Sequence, residues 1–157
     1  MNKIRAERLK YNIEKQGASS VYVMEKDARQ IDDFFSFDQI LLDAPCSGSG
    51  TLDSLNSNNN QFFTEKLIEK SVKAQKALLR KAITILKKGH EMVYSTCSIL
   101  KEENEDVINT FLKENKVEII PINIENVPLL PVTIKGTICV APNELYEGFF
   151  IAKLKKI

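Results

Sequence analysis

Ile40-Leu41-Leu42 and Val93-Tyr94 constrain the fold of this chain more than anything else in it. Each is a short apolar run, and the stretch between them has helical periodicity. From Thr64 onward, Leu67, Ile68, Val72, Leu78, Leu79, Ile83 and Leu86 recur at helical spacing, with Lys87, Lys88 and Gly89 read as the end of the helix. Strand, helix, strand in that order implies a crossover joining two parallel strands. The uninterrupted Ile40-Leu41-Leu42 predicts burial on both faces of such a sheet. The residues that follow each run are alike as well: Asp43-Ala44-Pro45-Cys46 after the first, Ser95-Thr96-Cys97 after the second. Parallel pairing then sets both cysteines at one rim, beyond the carboxyl ends of the strands, where α/β sheets bind ligands.

The rest of the chain extends this pattern. Residues 3–16 read as a helix, with Ile4, Leu9 and Ile13 near one face and Gly17 placed to end it. Val21-Tyr22-Val23 reads as a short strand, and the polar stretch from Thr51 to Gln61 as a mobile loop. A helix is expected from about Lys101 to Glu114, its acidic first turn (Glu102, Glu103, Glu105) suiting the helix dipole and Val107, Ile108 and Phe111 forming its buried stripe. Strands follow at Val117–Ile120 and from Gly148 to Leu154, with a small hairpin around Lys135-Gly136 in residues 132–140. The alternation predicts an α/β layered fold with a mainly parallel sheet. Asp27, Asp43, Cys46 and Cys97 all fall at or just beyond strand ends and should gather along one rim.

Composition excludes several classes of function. There are 22 basic and 21 acidic residues, a net charge of +1, so the totals show no dominant polyanion-binding surface. The lysines of residues 66–88 read as a solvated helix face. No apolar run approaches the roughly 18 residues of a membrane span, and the start has no signal-peptide core. Three cysteines without paired spacing argue against a disulfide framework, and Cys139 reads as a core residue. A single histidine, His90, gives a metal site little support. A reducing, cytoplasmic setting is the simplest reading.

The stretch Phe37-Asp38-Gln39-Ile40-Leu41-Leu42-Asp43-Ala44-Pro45-Cys46-Ser47-Gly48 closely resembles the signature of the Sun/nucleolar-protein family of RNA cytosine carbon-5 methyltransferases. Ser95-Thr96-Cys97-Ser98 resembles that family's second cysteine motif, and Glu147-Gly148-Phe149-Phe150-Ile151-Ala152 is similar to its closing strand. Asn2 to Gly17, with Arg8-Leu9-Lys10-Tyr11-Asn12, and Val23 to Asp27 also look like this family. The resemblance implies a Rossmann-like class I methyltransferase sheet that lacks its first two strands. Residues 1–157 would then be a partial catalytic domain, without the glycine-rich cofactor loop and the upstream RNA-binding region. No Gly-x-Gly-x-x-Gly-like loop occurs in the chain, and the segment before Gly148 lacks the family's arginine-containing pattern. The expected cofactor is S-adenosylmethionine and the expected partner RNA, either rRNA or tRNA. The absent segment, as a separate chain, would complete the sheet, and a homo-oligomer is the other expected partner.

Carbon 5 of cytosine is a poor nucleophile until a thiolate adds at carbon 6, and covalent catalysis then divides one hard step into easier ones. The resemblance assigns that attack to Cys97 and gives Cys46 a role in resolving the adduct. It sets Asp43 at the base edge or beside the methyl donor, Pro45 in the turn that aims Cys46, and Asp27 at the adenine or ribose of the cofactor. The lesser reading for both Asp27 and Asp43 is a plain turn residue. In DNA cytosine methyltransferases the cysteine after proline is the nucleophile, so the residues alone leave the two thiol roles open. A DNA substrate, and a catalytically incompetent fragment that binds RNA or complements another chain, are the alternatives.

Overall fold

The computed structural model describes residues 3–52 and 63–157. It divides into two compact units, one ending at Asp32 and the other running from Asp33 to Ile157.

The first unit is built on α1 (Lys3–Lys15). The helix stops as expected at Gly17, whose φ of +67° lies in the left-handed region. The amide of Ala18 donates to the Ile13 carbonyl (3.1 Å) and that of Gly17 to the Glu14 carbonyl (3.0 Å), a Schellman closure. Val21-Tyr22-Val23 is not a strand. It is irregular chain, because its unit offers no second strand to bond it. A single 3₁₀ turn, Ala28–Gln30, follows, capped by Asp27.

In the second unit, β1 (Phe37–Asp43), α2 (Glu65–Ile85) and β2 (Leu86–Thr96) form the predicted crossover, and β1 and β2 pair in parallel. α3 (Glu105–Lys113), β3 (Val117–Ile120), β4 (Ile138–Val140) and β5 (Phe149–Lys156) complete it. The sheet order is β1-β2-β5-β3, with β4 also on β5. β5 alone runs against the others, so the strands share one direction while the three ladders that involve β5 are antiparallel. The loop expected from Thr51 to Gln61 lies, beyond Leu52, outside the described residues.

One face of the sheet carries the core. Met92, Tyr94 and Thr96 stand opposite Leu154, Ala152 and Phe150, all buried, and α2 and α3 supply Leu79, Ile83, Val107, Ile108 and Phe111 to the same core. Each fully buried side chain of this size contributes about 1.5–3 kcal/mol from its removal from water. Tyr94 and Phe150 meet edge to face, 6.4 Å between ring centres. The other face does not match the expected double burial: Leu41 is 72% exposed, while Ile40 and Leu42 are half-buried. β1 is an edge strand in this unit, and among the described residues of the unit no helix covers its outward side.

Three boundaries differ from the sequence reading. α2 ends at Ile85, because Leu86 turns extended (ψ 136°) and is buried as the first residue of β2. Lys87-Lys88-Gly89 instead forms a bulge, where the register slips between the Phe37–Leu86 and Gln39–Glu91 pairs and Gly89 takes φ +78°. The Lys156 ammonium donates to the Thr84 carbonyl in the last turn of α2 (3.1 Å) and to the Leu86 carbonyl just beyond it (2.7 Å). α3 begins at Glu105, after a turn over Leu100–Asn104. The expected hairpin turns at Ile134–Thr137, but its arms lie further out, with Leu130 bonded to Cys139 and Ala141 to Pro128 (2.8 Å each).

Candidate active site

The parallel register ends on Asp43 opposite Ser95, whose hydroxyl donates to the Asp43 carboxylate at 3.1 Å. The amide of Ala44 still bonds the Ser95 carbonyl (2.9 Å), so β1 keeps its direction up to the residue before Pro45. Pro45 can offer no amide to continue the ladder, and the chain leaves the sheet there. Gly48 takes φ +77° and opens a 3₁₀ turn, Ser49–Thr51. This turn folds back so that the Gly50 amide donates to the Cys97 carbonyl (3.0 Å), and the Gly148 amide in turn donates to Gly50 (2.8 Å).

The two cysteines meet beyond this rim. Their Sγ atoms are 3.0 Å apart, and both residues are free and half-buried. The thiol of Cys46 is pushed up to about 12, first by burial, then by its contact with Cys97 and by the negative charge of Glu103 nearby. Burial thus favours the neutral Cys46 thiol, and either sulfur can be the donor across the 3.0 Å contact.

Of the residues singled out from the sequence, Cys46, Cys97, Asp43 and Pro45 come together at this rim, with Asp43 and Pro45 exposed. Asp27 belongs to the first unit and is a turn cap there. Its carboxylate accepts from the Arg29 amide (3.0 Å) and guanidinium (2.6 Å to Nη2), which holds it at about 2, well below the usual carboxylate range. Cys139 is buried in β4, its thiol pushed up to about 11 by burial. His90 sits at the other end of the paired strands, Nδ1 at 3.0 Å from the Asp38 carbonyl, so no cysteine–histidine pair forms with either rim thiol. Among the described residues no helix is long and apolar enough to cross a membrane and no cluster suits a metal ion.

Sequence reasoning missed the layer beneath the thiols. Glu103, read as a complement to the helix dipole, is fully buried and accepts from both the amide (2.7 Å) and hydroxyl (2.6 Å) of Ser47. Gln75, on the buried face of α2, donates to the Pro45 carbonyl at 2.9 Å. The signal for Gln75 was there to see: Ser71 and Gln75 are polar residues in register with the apolar Leu79 and Ile83, four residues apart. Glu103 gave none, since an acidic residue before a helix is ordinarily solvated.

Residues 1–155 match the family described as 16S rRNA methyltransferase RsmB/F. The chain is 37% identical to the ribosomal RNA small subunit methyltransferase F of Shewanella piezotolerans, over 99% of this chain and 35% of that protein. It is 34% identical to the tRNA (cytosine(72)-C(5))-methyltransferase of Pyrococcus horikoshii, over 99% of this chain and 39% of that one. The crystal structure of NSun6 from Pyrococcus horikoshii superposes with a TM-score of 0.83 at 31% identity, covering 99% of this chain and 39% of that one. The chain thus spans about a third of the length of the relatives it matches. With residues 1–155 matched and relatives above 30% identity over nearly all of it, this chain belongs to the family described as 16S rRNA methyltransferase RsmB/F.

Proposed function

We propose that this chain carries the thiol half of an RNA cytosine-5 methyltransferase site, as a partial catalytic domain. The observation that carries the reading is the pair of unbonded thiols 3.0 Å apart at the carboxyl rim of two parallel strands. Cys97 is the nucleophile toward carbon 6 of cytosine, because Cys46 is the thiol that retains its proton. The arrangement favours this order over attack by the cysteine after proline. Cys46 stabilises the Cys97 thiolate by donating its S–H. Once Cys97 is spent in a thioether, its charge no longer raises Cys46. Cys46 then releases its own proton to solvent and, as a thiolate, takes the carbon-5 proton, while the ring double bond reforms and Cys97 leaves as thiolate.

S-adenosylmethionine, when bound, supplies an electrophilic methyl group, and the NSun6 relative was solved with an analogue of it. The residues present fit one wall of such a site. Asp43 and Pro45 are exposed beside the thiols, whereas Asp27 is committed to Arg29 and the six glycines form no cofactor loop. RNA is the substrate class, rRNA or tRNA as in the relatives' names, with the target base unpaired or extruded, since a stacked cytosine cannot offer carbon 6 to a thiol. A reducing cytoplasm suits two adjacent free thiols.

The test uses a protein in which this chain replaces the matching part of its Shewanella relative. Cys97→Ala should abolish both methylation and denaturation-stable RNA adducts. Cys46→Ala should let adducts form and accumulate. The opposite pattern would reverse the roles, and methylation surviving in both variants would refute the reading.

A further inference from the structure

Two adjacent residues ahead of α3 reach the two cysteine turns from beneath. Glu103 accepts the amide and hydroxyl of Ser47, the residue after Cys46, at 2.7 and 2.6 Å. Asn104 accepts the Thr96 hydroxyl at 2.6 Å and donates to the Ser98 carbonyl at 2.8 Å, so it straddles Cys97. The backbone that carries both is itself pinned to β2, because the Tyr94 hydroxyl donates to the Glu103 carbonyl at 2.8 Å.

Neither side chain is placed where it would serve the helix best. Asn104 occupies the N-cap position of α3, where asparagine ordinarily satisfies an orphan amide, yet it makes no cap bond and adopts φ −110°, ψ −94°. Glu103 is a carboxylate with 0% exposure, which is unfavourable unless its oxygens are bonded, and both are bonded to Ser47. A helix start left without its side-chain cap and a carboxylate taken out of water both make sense if these groups are needed at the thiols. Because Glu103 and Asn104 are neighbours on one fixed piece of backbone, the spacing of their side chains sets the spacing of the two turns, and with it that of the sulfurs.

We propose that Glu103 and Asn104 are positioning residues that hold the Cys46 and Cys97 thiols at the separation required for both to act on one base. This rests on the two-thiol reading given above. Glu103 has a second effect through its charge, which opposes ionisation of Cys46 and so keeps the proton on that sulfur.

The test measures the thiol pair directly, on the 157-residue chain, with phenylarsine oxide. The reagent bridges two nearby thiols, forming two As–S bonds and releasing its oxygen as water with the two thiol protons. Glu103→Ala and Asn104→Ala should each weaken arsenical binding by about tenfold or more, since misplacing paired groups by an ångström is expensive. Glu103→Gln, which can still accept from the Ser47 amide, should restore part of it. Ser47→Ala removes only the hydroxyl bond at a half-buried position and should fold even if the buried variants do not; it should weaken binding by about threefold. A purely structural role would not move the pH profile, whereas Glu103→Gln should shift Cys46 alkylation to lower pH. Unchanged arsenical affinity in folded Glu103→Ala and Asn104→Ala, or in Ser47→Ala alone if the others fail to fold, overturns the proposal. If affinity falls but methylation by the chimera with the same substitutions is unaffected, the positioning role stands and the two-thiol reading of the reaction fails.

Discussion

Gly50→Ala is the substitution that most directly probes how the rim is built. A Cβ at Gly50 would lie 2.0 Å from the Gly148 carbonyl oxygen and 2.6 Å from its carbon, and all of these neighbours are backbone. To reach even 3.0 Å from that oxygen the two segments must part by about 1 Å, which no rotamer change can supply. The move stretches two bonds at once, Gly148 N–H to Gly50 and Gly50 N–H to Cys97. Overpacking of about 1–3 kcal/mol and about 1 kcal/mol for each hydrogen bond sum to about 3–5 kcal/mol. Gly148→Ala should cost a similar amount, about 2–4 kcal/mol, because its Cβ would lie 2.5 Å from Cγ2 of the β-branched Ile99 and 2.8 Å from the backbone Cα of Gly50. Gly48→Ala meets only Thr51 Oγ1 at 3.5 Å, so the left-handed backbone, about 1–2 kcal/mol, is its main cost. Urea unfolding is the assay. With a slope of about 2 kcal/mol/M, the Gly50→Ala midpoint should fall by about 1.5–2.5 M. If Gly50→Ala is no more destabilised than Gly48→Ala, the backbone contact does not hold the rim together.

Other outcomes follow from the same features. Asp43 and Pro45 are the only described residues proposed above for the donor site, too few to bury a ligand, so the 157-residue chain should show no S-adenosylmethionine binding by titration calorimetry, and micromolar affinity at one site would contradict that fit. A peroxide, taking two electrons from the thiols and ending as water, should form a Cys46–Cys97 disulfide and spare buried Cys139. Bridges to Cys139 in a non-reducing peptide map would refute that selectivity. The pH dependence has a definite sign: Cys139 is raised from 9.0 to about 11, so the unfolded chain releases that proton first and stability falls as pH rises from about 9 to 11. Cys139→Ala should flatten part of that fall, read as the difference in urea midpoint between about pH 8 and pH 10.5, and an unchanged slope would count against it.

The crossover and the meeting of the cysteines were legible because they depend on local signals: apolar runs, a helical period and the residues that close each strand. Positions decided by tertiary contact were not. Lys87-Lys88-Gly89 has the composition of a helix end, yet burying Leu86 in the core pulled the strand start forward and turned the glycine into a bulge. Val21-Tyr22-Val23 has strand propensity and no partner in its unit. Leu41 sits in an apolar run whose outer face is open in its own unit. Glu103 is the sharpest case, because its burial comes from a bond to Ser47, 56 residues earlier, that no local pattern encodes.

The placement of β5 has a consequence for how the protein is made. It emerges from the ribosome after every other strand of its sheet, yet it belongs between β2 and β3. Until it inserts, β3 has no partner in the sheet, and Gly148 is not there to hold Gly50 against the turn of Cys97. In a nascent chain the β1–β2 crossover can therefore form first, while the Gly148 bond that fastens Gly50 against the turn of Cys97 waits for a late, non-local event.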